Sequence, residues 1–148
     1  MIVRHPIQAL DDILENIAIV QKATSNKSIK NLSGDTVLRY VVERAIQIIS
    51  EASRHLPHAL TDEHPQINWD AIRGIGNELR HEYANIDIKI IWGVIENHLK
   101  PLKKACDDLR AKAADEQTYA LETLAAPFKG MRDSRRTLRK GRKHQRGR

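Results

Sequence analysis

Asn77, Arg80, His81 and Tyr83 lie within one short stretch, and their types suit phosphodiester chemistry. On a helix, Asn77 is an i, i+3 neighbour of Arg80 and an i, i+4 neighbour of His81, so these side chains can converge. A histidine near neutral pH can move a proton to or from a ribose 2′-OH or a leaving oxygen. An arginine beside it can stabilise a phosphorane-like transition state through a two-pronged contact. Asn77 can hold the phosphate or orient the imidazole. This chemistry needs no metal and no cofactor. The plain alternative is that an Arg-His pair decorates a helix surface. Tyr83 can equally be a half-buried tyrosine that anchors a chain break.

Helices must position these groups. Ile7, Leu10, Leu14 and Ile17 form one apolar stripe, with Pro6 at the helix start, where a proline costs little. Asn26, Ser28, Asn31, Ser33 and Gly34 read as a loop. A second helix is predicted from an Asp35 cap to about His55, with the stripe Leu38, Val41, Ala45, Ile48, Ala52. A loop from Pro57 reaches Asn68. A third helix starts near Asn68 or Asp70, with Ile72, Ile75 and Leu79 on one side. Gly74 and Gly76 weaken it by up to about 1 kcal/mol each relative to alanine, which suggests close approach of a backbone or a ligand. A break follows from His81 to Asp87. The fourth helix starts near Asp87, runs through Ile88, Ile91, Ile95, Leu99, Leu102, Cys106 and Leu109, and should kink at Pro101. A fifth stretch spans about Asp115 to Ala125. No segment alternates as a strand does. The fold expected is therefore all-α, an antiparallel four- to five-helix bundle.

Totals narrow the classes. The net charge of +6 is uneven. Residues 129–148 hold ten Lys/Arg against one Asp, whereas residues 1–128 hold 15 against 18 Asp/Glu. The basicity thus belongs to a tail and lends the motif no support. That tail, with almost no apolar content, is expected to be disordered on its own, which divides the chain into a helical domain, 1–128, and a tail, 129–148. Its charge would attract RNA or an acidic partner if it is more than a solvated run. The one cysteine, Cys106, excludes an intramolecular disulfide and a cysteine zinc site, and it fits a reducing, cytoplasmic setting. No apolar run is long enough to span a membrane, and the start of the chain does not read as a signal peptide. His55, His58 and His64 lack metal-ligand spacing, so no metal site is expected.

The segment Gly74-Ile75-Gly76-Asn77-Glu78-Leu79-Arg80-His81-Glu82-Tyr83, then Ile86-Asp87, resembles the motif of HepT-like ribonuclease toxins of the HEPN superfamily. Their pattern is Gly-hydrophobic-Arg-Asn-x-Leu-x-His-x-Tyr followed by an acidic turn. Ile48-Ile49-Ser50-Glu51-Ala52 is similar to that family's Ile-Gly-Glu-Ala stretch. The resemblance implies a HEPN-like bundle over residues 5–110 that forms a homodimer with the motif at its interface. It implies metal-independent cleavage of RNA by the toxin of a type II toxin–antitoxin pair. It also implies an MNT-type nucleotidyltransferase antitoxin that attaches AMP to a tyrosine, here Tyr83. Asn77 and His81 match catalytic positions. The family arginine precedes the asparagine, and that place is Gly76 here. Two readings follow. Either Arg80 or Arg73 supplies the phosphate-stabilising cation, or the chain is a catalytically degenerate module that docks a nucleotidyltransferase. Glu51 is either a solvated charge or a partner of Arg80 across helices.

Overall fold

A computed structural model describes the backbone of residues 5–81 and 86–141, and the side-chain environment as far as residue 125. Among the described residues all regular structure is α-helical. Helix α1 spans Pro6–Thr24, α2 Ile29–Gly34, α3 Thr36–Ser53, α4 His58–Thr61, α5 Trp69–His81, α6 Ile88–Asn97 and α7 Leu99–Gly141. No helix of the described residues is long and apolar enough to cross a membrane.

Caps explain where the main helices start. The Asp35 carboxylate accepts from the Leu38 N–H at 3.0 Å and opens α3. The Asn68 side chain accepts from Ala71 N–H at 3.1 Å and opens α5. Asp87 accepts from Lys89 N–H at 2.9 Å and opens α6. The stretch read as a loop between α1 and α3 holds one more turn, α2. Asn31 Oδ1 accepts from both the backbone N–H and the hydroxyl of Ser28, at 2.8 and 3.1 Å. Leu32 is fully buried beneath it, so this short helix is held by tertiary packing rather than by propensity. The break between α6 and α7 falls at His98, three residues before Pro101. Pro101 has no N–H to give the Asn97 carbonyl, and its ring crowds that carbonyl, so the helix yields one turn upstream of the proline.

The core is aliphatic, as the low aromatic content requires. Leu10, Ile13, Ile17 and Val20 of α1 meet Val42, Ile46 and Ile49 of α3, and Leu79, Ile91, Leu99, Leu102 and Leu109 close the cluster. The buried stripe of α1 is centred on Ile13 and Ile17, and Ile7 and Leu14 sit at its edge. On α3 the stripe is shifted likewise: Val42, Ile46 and Ile49 are buried, whereas Val41 is exposed and Ile48 half-exposed. Trp69 is buried, and its indole N–H donates to the His64 carbonyl at 3.1 Å. The α4–α5 connection is tied to α7 by charge: His64 Nε2 lies 2.8 Å from Asp108 Oδ2, and Lys112 Nζ lies 2.9 Å from Glu63 and 3.3 Å from Asp108.

The chain divides into two compact units, Met1–Lys112 and Ala113–Arg148. The compositional boundary after residue 128 falls inside the second. In that unit the α7 backbone is helical to Gly141, including most of the basic stretch that composition marks as unable to fold by burial. Helical hydrogen bonds are local and need no burial.

Candidate functional site

Helix α5 carries the motif, and α3 fixes its position. The Ser50 hydroxyl of α3 donates to the Arg73 carbonyl at 3.0 Å and accepts from the Gly76 N–H at 3.0 Å. Arg54 donates twice to the same Arg73 carbonyl, from Nε at 3.1 Å and Nη2 at 2.9 Å. As α5 advances from Arg73 to Gly76, its partners on α3 retreat from Arg54 to Ser50, so the two helices are antiparallel.

Gly76 is the closest point of that packing. A Cβ built there would stand 2.6 Å from Ser50 Oγ, 2.8 Å from Ser50 Cβ and 3.6 Å from the Gln47 carbonyl oxygen. The close approach expected of the two glycines is therefore real at Gly76, and it is made by a helix. Gly74 has open space where its Cβ would be. An arginine has no room at position 76 against Ser50.

The four described candidates separate clearly. Arg73, Asn77, Arg80 and His81 share one sector of α5, because residues three, four and seven apart lie on the same face of a helix. Asn77, Arg80 and His81 are exposed. Among the described residues none of their side chains has an ion pair or a hydrogen bond. Arg73 is different. Its side chain is 19% exposed, Nη1 lies 3.8 Å from Asp70 and Nε donates to the Ser53 carbonyl at 3.5 Å. Its guanidinium is drawn toward the start of α5, away from His81. Among the described residues Arg80 is thus the arginine without a partner, placed to meet a phosphate beside His81. Tyr83 lies outside the described residues.

Two hollows flank α5, and neither is lined by Asn77, Arg80 or His81. One, of about 570 Å³, runs along Ile72, Ile75, Val94 and Leu102. The other, of about 660 Å³, lies by His58, Asp62, Asp70 and Arg73. Asn77, Arg80 and His81 stand exposed on the motif face.

Glu51 is exposed, 3.7 Å from His55 Nε2, and it forms no pair with Arg80. Among the described residues no group of three or more His, Cys, Asp or Glu could hold a metal ion. Ser50 and Arg54 were not singled out as position-fixing residues from the sequence. Their i, i+4 spacing on one face of α3 was the available signal. Glu43, two turns before Ser50 on that helix, is mostly buried; desolvation pushes its carboxyl above the usual range, and Arg39 at 3.7 Å opposes the shift.

The profile of the family described as "HepT-like: Ribonuclease HepT-like" matches residues 13–109, which covers α1 to the first part of α7. A protein of Thermococcus cleftensis named "Probable ribonuclease HepT" is 29% identical over 101 residues, 68% of this chain and 92% of its own length. A Methanocaldococcus jannaschii protein named "Putative RNase MJ1380" is 32% identical over 95 residues, 64% of this chain and 87% of its own. A Caldanaerobacter subterraneus protein named "Putative RNase TTE0752" is 28% identical over 109 residues, 74% and 97% of the two chains. No solved structure matches.

Proposed function

The chain belongs to the ribonuclease HepT-like family, and on that premise we propose that it is a metal-independent RNA endonuclease acting as the toxin of a toxin–antitoxin pair in the cytoplasm. The observation that carries the reading is the exposed trio Asn77, Arg80 and His81, unpaired among the described residues, on one face of α5. His81 takes the 2′-OH proton, and the 2′-oxygen attacks the adjacent phosphorus. The P–O5′ bond breaks, the leaving 5′-oxygen receives a proton, and a 2′,3′-cyclic phosphate remains. Arg80 stabilises the charge on the non-bridging oxygens, and Asn77 holds the phosphate. A positioned cation of this kind supplies about 3 to 4 kcal/mol of transition-state stabilisation. Two chains pair as a homodimer. A nucleotidyltransferase antitoxin silences the toxin by attaching AMP to Tyr83.

Purified chain incubated with tRNA or mRNA in a chelator tests the activity. Cleavage that disappears in His81→Ala is the expected result; no cleavage, or equal cleavage by His81→Ala, removes the nuclease assignment.

The contact between Gly76 and Ser50 favours a second reading. With no space for an arginine before Asn77, the chain can serve as a non-catalytic module that binds the nucleotidyltransferase. Stable partner capture without a growth defect on expression alone is its signature.

A further inference from the structure

The α3–α5 packing brings a second helix to the motif face. Ser50 is bonded to both Arg73 and Gly76, so it sits level with the midpoint of that pair. His81 is between six and seven residues beyond the midpoint, about 10 Å along the axis at 1.5 Å per residue. On the antiparallel α3, the residue at that height is Arg44, six residues before Ser50 and about 9 Å along. Arg44 and His81 are thus level, on axes separated by about 8 to 10 Å.

Helical geometry also puts them on the same side. On α3, Ser50, Arg54 and the Gln47 carbonyl meet α5, and Val42, Ile46 and Ile49 face the core. Arg44 lies about 100° round from the α5 contact, on the side opposite the core. On α5, Leu79 turns to the core, and Asn77 and His81 lie on the opposite side of the contact from it. Since both helices turn their core stripes the same way, their solvent stripes form one surface.

The arginines of α3 and its C-cap are not equivalent. Arg39 pairs with Glu43, and Arg54 is spent on the Arg73 carbonyl. Arg44 is exposed and has no ion pair among the described residues; its Nη1 donates one long hydrogen bond, 3.5 Å, to the Gln47 amide oxygen. We infer that Arg44 binds a backbone phosphate of RNA crossing from α5 to α3, next to the phosphate held by Asn77 and Arg80. The inference rests on the RNA reading of the motif face and adds a binding residue from a different helix.

The test uses the full-length chain carrying His81→Ala, so that RNA is not cut. Binding of a short single-stranded RNA is followed by anisotropy over a range of KCl concentrations, without divalent metal. Adding Arg44→Ala should weaken binding about tenfold, as expected for loss of a charge-assisted contact. The slope of log affinity against log salt should become shallower by about 0.7, the value for one phosphate on a single strand. Arg44→Lys should recover most of both. Lys22→Ala, an exposed cation of α1, should change neither. Equal affinity and slope in Arg44→Ala overturn the inference. If the His81→Ala protein binds no RNA, the inference and the RNA reading fall together. If it binds, Arg44→Ala shows both losses and the unmutated chain never cuts, the nuclease reading falls and the Arg44 contact stands.

Discussion

The hydroxyl of Ser50 stands between the Gly76 N–H and the Arg73 carbonyl, 3.0 Å from each, and ties the motif helix to α3 at one point. Glycine at 76 and serine at 50 fill one space between them. A side chain at 76 would collide with the Ser50 Cβ as well as its hydroxyl, and the Cβ cannot swing aside. Gly76→Arg should therefore lower stability by about 1 to 3 kcal/mol, as overpacking does. Ser50→Gly combined with Gly76→Arg should recover a large part of that loss. Urea unfolding of the two variants and the unmutated chain measures this, and additive losses would show that the two positions do not share the space.

Ser50→Ala removes the hydroxyl and keeps the packing. The Gly76 N–H loses the Ser50 hydroxyl in a buried position and keeps only what its own helix offers, while the Arg73 carbonyl keeps Arg54. The expected cost is about 0.5 to 1.5 kcal/mol, the range for one intramolecular hydrogen bond. If Ser50→Ala melts with the unmutated chain, the hydroxyl is not what holds α5.

The His64–Asp108–Lys112 cluster predicts a pH dependence. The hydrogen bond from His64 holds the Asp108 carboxyl below the usual carboxylate range, and that from Lys112 adds to it. A depressed folded pKa means stability that is present above the unfolded value, about 3.9, and lost as pH falls through the folded value. Lys112, bonded to Glu63 and then to Asp108, is raised, so its share is present below its unfolded pKa and lost at high alkaline pH. Asp108→Asn should melt below the unmutated chain near pH 7, and the gap should close in strong acid. Because the cluster is exposed, salt should narrow the gap at every pH. A difference in melting temperature that stays constant down to pH 2 would contradict this account.

Burial pushes the Cys106 thiol up to about 12. At pH 8 it is almost wholly protonated, and the thiolate is the reactive form. Iodoacetamide should leave it untouched in the native protein and modify it quickly in urea. Rapid alkylation without denaturant would mean that the α7 end of the core opens readily.

Much of the scaffold was legible because its signals are local. Asp35 and Asp87 cap the helices that their side chains suggest, and the aliphatic periodicities find α1, α3, α5 and α6. What was illegible depends on distant partners. One turn of α2 hides among loop-forming residues because a buried Leu32 holds it. Gly74 and Gly76 look alike in sequence, and only the serine 26 residues away tells them apart. Arg73 and Arg80 were equal candidates, since sequence spacing cannot show that Ser53 and Asp70 engage one and leave the other free.

That difference between the arginines yields the sharpest test of the site. Arg80 is exposed and unpaired among the described residues, so Arg80→Ala should leave the melting temperature within error. If it stabilises the transition state, kcat should fall about 10² to 10³-fold with little change in KM. Arg73→Ala removes a side chain held by Ser53 and Asp70 and should lower stability first. Its remaining activity, measured well below the transition, should be nearer that of the unmutated chain. The reverse pattern, a stable but inactive Arg73→Ala beside an active Arg80→Ala, would move the phosphate cation about two turns along α5 from His81. The arginine would then have to leave its contacts with α3 when RNA binds.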